Sequence, residues 1–253
     1  MNALILAAGL GTRLGVLTAE CPKALVQVAG RTMLDNQLHW LGHFGFDHIV
    51  INVHHFADKI TDYLKPLIHT GMTIEISDES EMLLDTGGGI RKALHLFGND
   101  NPVLIHNVDI FSTTNLASLY NTHLRSGADA TLLTSPRKTS RQLYFDSDMR
   151  LKGWSDSRTG ATRSPFSDFD TTVCTPLAFQ GIHIVSRSIL PLLDKCEAYK
   201  FSITDFYIDN ASRLKFNAVR EDSAHWVDAG KPESLARAAE IVALRVQKER
   251  PFL

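Results

Sequence analysis

The sequence predicts an α/β fold with a mostly parallel sheet, and three observations carry that expectation. Apolar strand-like runs alternate with amphipathic helical stretches through the first third of the chain, in the order β-α-β-α-β. Helical connections between successive strands are how parallel pairs are joined. The first run, Asn2 to Ala8, breaks into Gly9-Leu-Gly-Thr-Arg-Leu14, the usual way a buried parallel strand delivers a loop to a sheet edge. Finally, 253 residues with 44% hydrophobic side chains can bury one sizeable core, so residues 1–253 are read as a single domain.

Each element then follows from its residues. Thr32 to Phe44 reads as a helix, because Leu34, Leu38 and Leu41 recur at helical spacing and Gly45 can end it. His48 to Val53 is β-branched and reads as strand. Phe56 to Ile68 is a second helix, with Ile60, Leu64 and Leu67 on one face, and Thr73 to Ile76 is the third strand. Gly87 to Gly89 open a helix carrying Ile90 and Leu94 one turn apart. Pro102 to Ile110 is a strand that brings Asp109 to its carboxyl end; Leu116 to Leu124 is helix and Ala130 to Thr134 strand.

From Pro136 to Asp170 the composition turns to Ser, Thr, Asp and Arg. There Gln142 to Phe145 and Arg150 to Trp154 flank Asp146-Ser-Asp148 as a β-hairpin, and 136–176 is read as a small β insertion. Leu177 to Val185 and Lys215 to Val219 return to strand, and Ser202 is placed to cap the helix that follows it. Pro232 opens the last helix, whose buried stripe is Leu235, Ala238, Ala239, Val242 and Val246; Glu249 to Leu253 is expected to fray.

Composition excludes several classes. A net charge of −2 gives no bulk attraction to nucleic acid or anionic lipid, so any phosphate binding must come from local cations. Cys21, Cys174 and Cys196 are scattered, with no zinc spacing and no disulfide framework, which fits reduced thiols in a cytoplasmic protein. The first apolar run is too short for a membrane span and lacks a basic leader. No Ser-His-Asp or Cys-His set stands out, and His54 and His55 read as solvated loop residues.

The first loop carries the clearest chemistry. Gly9 and Gly11 let the backbone approach a ligand, Thr12 adds a hydroxyl, and Arg13 and Lys23 add two cations. That set suits a phosphate-bearing anion. It is neither a dinucleotide fingerprint, since Leu14 stands where the third glycine belongs, nor a Walker loop, since Gly-Lys-Ser/Thr is missing. Two glycines alone would favour a tight turn with an exposed arginine. Asp109 ends a strand where open sheets bind ligands, or else caps the next loop.

Gly-x-Gly-Thr-Arg-Leu, with Pro22-Lys23 nine residues after Arg13, resembles the signature of the sugar-1-phosphate nucleotidylyltransferases. Asn107-Val-Asp109 and the stretch His225-Trp-Val-Asp-Ala-Gly-Lys-Pro232 resemble two further family motifs, and the likeness runs from Leu4 to about Ala239. It implies a three-layer α/β/α, Rossmann-like fold. It also implies the reaction of a nucleoside triphosphate with a sugar 1-phosphate, giving a nucleotide sugar and pyrophosphate.

By resemblance, Ala8, Gly9, Gly11, Thr12, Thr86, Gly88 and Gly89 hold the nucleotide, while Arg13 and Lys23 are the catalytic cations on its phosphates. Asn107, Gly181 and Asp205 meet the sugar, and Asp109 and Asp228 hold Mg²⁺. The family's Glu-Lys-Pro lysine is missing, with Lys152, Arg158 and Arg163 as possible substitutes, and so is the base-contacting glutamine of the thymidylyltransferases. Leu84 to Ile90 looks most like the N-acetylmuramate-1-phosphate uridylyltransferase branch, which implies UTP, an amino-sugar 1-phosphate and a place in cell-wall precursor synthesis. Mannose- or heptose-1-phosphate guanylyltransferases, phosphocholine cytidylyltransferases and a non-catalytic nucleotide-sugar sensor are the alternatives. A monomer or small homo-oligomer without nucleic-acid or membrane partners is expected.

Overall fold

The first strand of the chain has no polar face, and the fold follows from that. In a computed structural model, which describes residues 1–67, 71–98 and 101–249, Ala3 and Ile5 point into one hydrophobic core and Leu4 into a second. A strand buried on both faces must lie inside a sheet covered by helices on both sides.

Along the chain the elements are β1 (Asn2–Leu6), the short ribbon β2 (Gln27–Val28) and β3 (Arg31–Thr32), α1 (Met33–His43), β4 (His48–Val53), α2 (Ala57–Leu64), β5 (Thr73–Asp78), α3 (Asp85–Leu94), β6 (Val103–Asn107), β7 (Ile110–Ser112), α4 (Leu116–Ser126), β8 (Ala130–Ser135), β9 (Arg141–Phe145), β10 (Leu151–Asp156), β11 (Ala161–Arg163), β12 (Thr175–Val185), α5 (Leu190–Leu193), α6 (Ile203–Asn210), β13 (Phe216–Arg220), β14 (Trp226–Asp228) and α7 (Leu235–Glu249).

Strands β6, β1, β4 and β5 lie side by side and are parallel throughout. β12 pairs antiparallel with β9 along its first residues, Thr175 to Leu177, and with β6 and β8 farther along. β13 lies parallel to β8, while β10 and β11 continue outward from β9, so the hairpin region extends the same ten-stranded sheet. Helices α1, α2, α4 and α7 cover one face with Leu34, Ile60, Leu119 and Ile241; α3, α5 and α6 cover the other with Ile90, Leu193 and Tyr207. This is the three-layer α/β/α, Rossmann-like arrangement that the sequence resemblance implies.

Local chemistry explains the boundaries. Thr32 caps α1 by accepting the Asp35 N–H at 3.0 Å, and Ser202 caps α6 by accepting the Asp205 N–H at 3.4 Å. α2 ends at Leu64 and tightens into a 3₁₀ turn, Lys65–Leu67, because Pro66 cannot continue the hydrogen-bond ladder. Ile68 and everything after Glu249 lie outside the described residues. In the last helix Ile241 is buried where the sequence pattern pointed to Val246, which is exposed. Arg245, also buried there, lies over the Trp40 and Phe111 rings and donates from Nε to the Ser112 carbonyl at 2.8 Å.

One expected strand is two. β6 stops at Asn107, Val108 and Asp109 form a turn, and β7 leaves the main sheet to pair antiparallel with β14. Asp228 is therefore brought in by a two-stranded ribbon rather than by a strand of the parallel sheet.

A buried histidine ties α4 to the sheet. His123 bonds Thr131 Oγ1 through Nδ1 and Ser186 Oγ through Nε2, each at 2.9 Å. Burial pushes its pKa from 6.5 down to about 4. The neutral ring is the folded form, so the stabilisation is full above about pH 6.5 and is lost as pH falls toward about 4, where the unfolded chain binds the extra proton. The melting temperature of the wild type should fall progressively across that window. His123→Gln should be less stable at pH 7 and show a shallower fall on acidification.

Candidate active site

The loops after β1, β4, β5 and β6 meet at the carboxyl edge of the parallel strands, the place where open α/β sheets bind ligands. Asn52, near the end of β4, accepts the Ala7 and Ala8 N–H groups at 2.7 and 3.3 Å through Oδ1. Its Nδ2 donates to Glu79 Oε1 at 2.7 Å, and Glu79 Oε2 accepts the Leu84 N–H at 3.1 Å. Burial pushes the Glu79 carboxyl up. This buried chain of bonds fixes the loop after β1 against the loop after β5.

The glycines of α3 serve that packing. A Cβ on Gly89 would stand 2.7 Å from Glu79 Oε1 and 2.8 Å from Asn52 Nδ2, and one on Gly88 would run into the Tyr199 carbonyl. Gly88 and Gly89 thus turn toward the supporting wall, while Thr86 faces the open cleft. Beside it, Asp85 holds a left-handed backbone, φ 60°, and accepts the Thr86 N–H at 2.6 Å through Oδ1. A non-glycine residue in that region carries strain.

The phosphate-type loop folds on itself. Gly11 has φ 69°, and a Cβ there would lie 2.9 Å from Thr18 Cγ2 and 3.1 Å from Lys23 Cβ. Its carbonyl accepts from the Leu14 N–H and from Thr18 Oγ1. Gly9 opens onto the cleft, whereas Thr12 is exposed and does not line it.

Four charges converge beyond this loop. Lys23 Nζ sits on the buried Asp109 carboxylate. The Arg13 guanidinium lies 3.3 Å from Asp228 Oδ2 and 3.8 Å from Asp109 Oδ2, which places the two carboxylates side by side. Backbone pairing holds them there: Asp228 is opposite Ile110, and the Ala229 N–H donates to the Asp109 carbonyl at 2.8 Å. Gly230 leaves room for the guanidinium, which a Cβ would strike, and its N–H donates to Asp228 Oδ1 at 2.8 Å. Burial pushes the Asp109 carboxyl up, against the pull of Lys23 and with the Asp228 charge adding to it. Burial also acts on Asp228, but its side-chain contact with Asp109, the hydrogen bond it accepts from the Gly230 N–H and the Arg13 and Lys23 charges hold its carboxyl below the usual range.

The cluster stands where two compartments join. One, of about 470 Å³, is lined by Ala8, Gly9, Arg13, Lys23, Thr86 and Asp109, with exposed Lys200 also on its wall. The other, of about 670 Å³, is lined by Arg137, Gln180, Gly181, His183, Asp205 and Trp226. Asn107, Thr86 and Asp228 belong to both walls. Gly181, at φ 75°, lies where β12 shifts register, and a Cβ there would stand 2.8 Å from Asn107 Nδ2.

Arg137 and Arg141 are the cations on the second compartment's wall, and neither is one that the sequence singles out; Arg141 is held by Asp156 at 3.6 Å. Lys152 lies over the Phe166 ring, and Arg158 pairs with Asp156. Arg163 is tied to Asp205 and Asp209. None of the three lines the compartment. Arg137 does: its guanidinium lies 4.4 Å from the Trp226 ring centroid and donates to the Phe179 carbonyl at 3.2 Å. Asn52, Glu79, Arg137, Gln180 and His183 belong to no motif recognised in the sequence.

A family model described as nucleotidyl transferase matches residues 2–145. The chain belongs to that family. It is 35% identical to the N-acetylmuramate α-1-phosphate uridylyltransferase of Caulobacter vibrioides, over 74% of this chain and 76% of that protein. It is 27% identical to the D-glycero-α-D-manno-heptose 1-phosphate guanylyltransferase of Aneurinibacillus thermoaerophilus, over 94% of this chain and 96% of that one. Among solved structures, HddC from Yersinia pseudotuberculosis complexed with GMP-PN shares the fold, with a TM-score of 0.72 at 22% identity, over 94% of this chain and 98% of HddC. The chain is thus a sugar-1-phosphate nucleotidyltransferase, an enzyme rather than a sensor. No helix among the described residues is long and apolar enough to cross a membrane.

The two cations of this nucleotidyltransferase should separate in mutagenesis. Removing Lys23 strands a buried carboxylate, which costs about 3–5 kcal/mol unless the acid protonates. Lys23→Ala should therefore unfold at lower urea, and Lys23→Ala with Asp109→Asn should recover much of the loss. Arg13 is half exposed, so Arg13→Ala should cost about 0–1 kcal/mol. Turnover should fall about 10²–10³-fold in all three. Equal destabilisation by the two single substitutions would contradict this assignment of partners.

Proposed function

We propose that this enzyme transfers UMP from UTP to an amino-sugar 1-phosphate such as N-acetylmuramate 1-phosphate, releasing pyrophosphate. The observation that carries the reading is the meeting of Arg13, Lys23, Asp109 and Asp228 at the junction of two compartments. A reaction between two phosphates needs its charges managed where the two substrates touch. The uridylyltransferase relative favours UTP and the muramate substrate. The heptose guanylyltransferase relative, matched over nearly the whole chain, keeps GTP with a manno-configured sugar as the second reading.

The chemistry asks little covalent work of the protein. An oxygen of the acceptor phosphate is already anionic at neutral pH, so no general base is needed. It attacks the α-phosphorus of the nucleotide, and the bond to the pyrophosphate oxygen breaks. The protein's part is to align the two and to stabilise charge on the leaving group. With nucleotide bound, Lys23 leaves Asp109 for the α-phosphate, and Arg13 leaves Asp228 for the β- and γ-phosphates. Gly9 and Thr86 flank the nucleoside. Arg137, which forms no ion pair with a carboxylate among the described residues, is the cation offered to the acceptor phosphate.

The donor set fits a magnesium ion. Asp109 and Asp228 supply hard oxygen ligands side by side, and no group of three or more His, Cys, Asp or Glu side chains forms a cage among the described residues. Mg²⁺ usually takes one or two carboxylates and completes its shell with phosphate and water. When bound it would neutralise charge on the reacting and leaving phosphates. We place the enzyme in the cytoplasm, making nucleotide sugars for the cell wall, as a monomer or small homo-oligomer.

Pyrophosphate release from UTP, GTP, CTP and ATP, each paired with N-acetylmuramate, mannose, heptose and glucose 1-phosphates, tests this reading. The highest kcat/KM should fall on UTP with the amino sugar. A clear advantage for GTP across the panel would replace it with the guanylyltransferase reading.

A further inference from the structure

The wall of the acceptor-side compartment carries polar atoms that find no hydrogen-bond partner among the described residues. Gln180 is 2% exposed and its Oε1 has no hydrogen-bond partner; His183 is 1% exposed and neither ring nitrogen has one. Both residues line the 670 Å³ compartment, as does Arg137, whose Nε is likewise unpartnered. Buried polar groups in native proteins are nearly always paired, and each one left unpaired carries its full desolvation cost. Three residues with such atoms share one wall of one cavity, and together they offer half of a hydrogen-bonded site to a ligand that draws the side chains toward it.

The backbone explains how they come to share that wall. In a regular strand, residues three apart point to opposite faces. Here the pairing of β12 with β8 shifts between Phe179 and His183, and Gly181 takes a left-handed conformation inside the shift. The irregularity re-aims the strand, so Gln180 and His183 both reach the cavity. Their positions do not depend on their own polar atoms. The Gln180 carbonyl accepts the Trp226 Nε1–H at 3.0 Å, and the His183 ring packs against Phe179 and Tyr207 at centroid distances of 5.3 and 5.7 Å. Burial pushes the His183 pKa down to about 3, so the ring is neutral and offers one donor and one acceptor.

We propose that Gln180 and His183 read the sugar ring of the acceptor: a ring hydroxyl or acylamino N–H donates to Gln180 Oε1, and a neighbouring substituent exchanges a hydrogen bond with the His183 ring. This rests on the second compartment being the acceptor site. It restricts the acceptor to sugars rich in donors. Phosphocholine, with no donor on its trimethylammonium head and a positive charge facing Arg137, would leave both side chains unpaired.

Gln180→Met and His183→Phe test this against wild type, with the nucleotide that the wild type uses best. Each variant should raise the KM for the preferred sugar 1-phosphate about ten- to a hundred-fold, the range expected when a buried partner is lost. The KM for nucleotide should stay within about twofold, as an order-of-magnitude margin, because neither residue lines the first compartment. The melting temperature should hold or rise, because an unpaired buried polar group has gone. A merely structural role predicts the reverse: a lower melting temperature with both KM values moving together. An unchanged sugar KM in both folded variants, or a higher wild-type kcat/KM with phosphocholine than with any sugar phosphate, overturns the inference. If wild type releases pyrophosphate with no sugar 1-phosphate, the acceptor reading itself fails, and this inference with it.

Discussion

Two buried carboxylates side by side repel each other and resist desolvation, and the site is built around making that tolerable. Lys23 answers Asp109 and Arg13 answers Asp228, from positions 86 and 215 residues away in the chain. To deliver them, the loop after β1 must fold back at Gly11 and Gly230 must lack a side chain. The β7–β14 ribbon must also leave the main sheet to set Asp228 opposite Ile110. The resulting cluster is self-neutralised without a ligand, yet its cations are the groups that a triphosphate would draw away.

The second constraint is the junction of two sheet characters at β12. Toward β6 and β1 the strands belong to the doubly covered parallel core, with Ile182 and Ile184 packed into it. Toward β9, β10 and β11 the sheet becomes an antiparallel extension that walls the second compartment. The shift around Gly181 accommodates both and leaves Gln180 and His183 on the cavity wall with polar atoms unpartnered. An apolar wall would be more stable there, and the polar groups mark where stability has been traded for recognition.

What could be read from the sequence follows from how each feature is encoded. The layers were legible because Leu34, Leu38 and Leu41 keep helical spacing and the strand at His48 to Val53 is β-branched. Arg13, Lys23, Asp109 and Asp228 were legible because they sit in short local patterns. Asn52, Glu79, Arg137, Gln180 and His183 were not, because each is an ordinary residue whose environment is made by distant segments. Gly88 and Gly89 were visible as glycines, but it is the folded chain that sets them against Tyr199, Glu79 and Asn52. Likewise Lys152, Arg158 and Arg163 looked like free cations until Phe166, Asp156, Asp205 and Asp209 appeared beside them. A length of strand reads the same whether it joins a parallel sheet or a two-stranded ribbon, which is why the pairing of β14 with β7 left no sequence signal.

In the proposed reaction the paired charges are exchanged together, carboxylates to a metal ion and cations to a triphosphate. Calorimetric titration of UTP into the wild type and Asp228→Asn, with and without Mg²⁺, tests that exchange most directly. The wild type should bind weakly without metal and at least about tenfold more tightly with it, and Asp228→Asn should show little metal effect, since one lost ligand contact is worth roughly that factor. UTP affinity in the wild type that is the same with and without Mg²⁺ would contradict it.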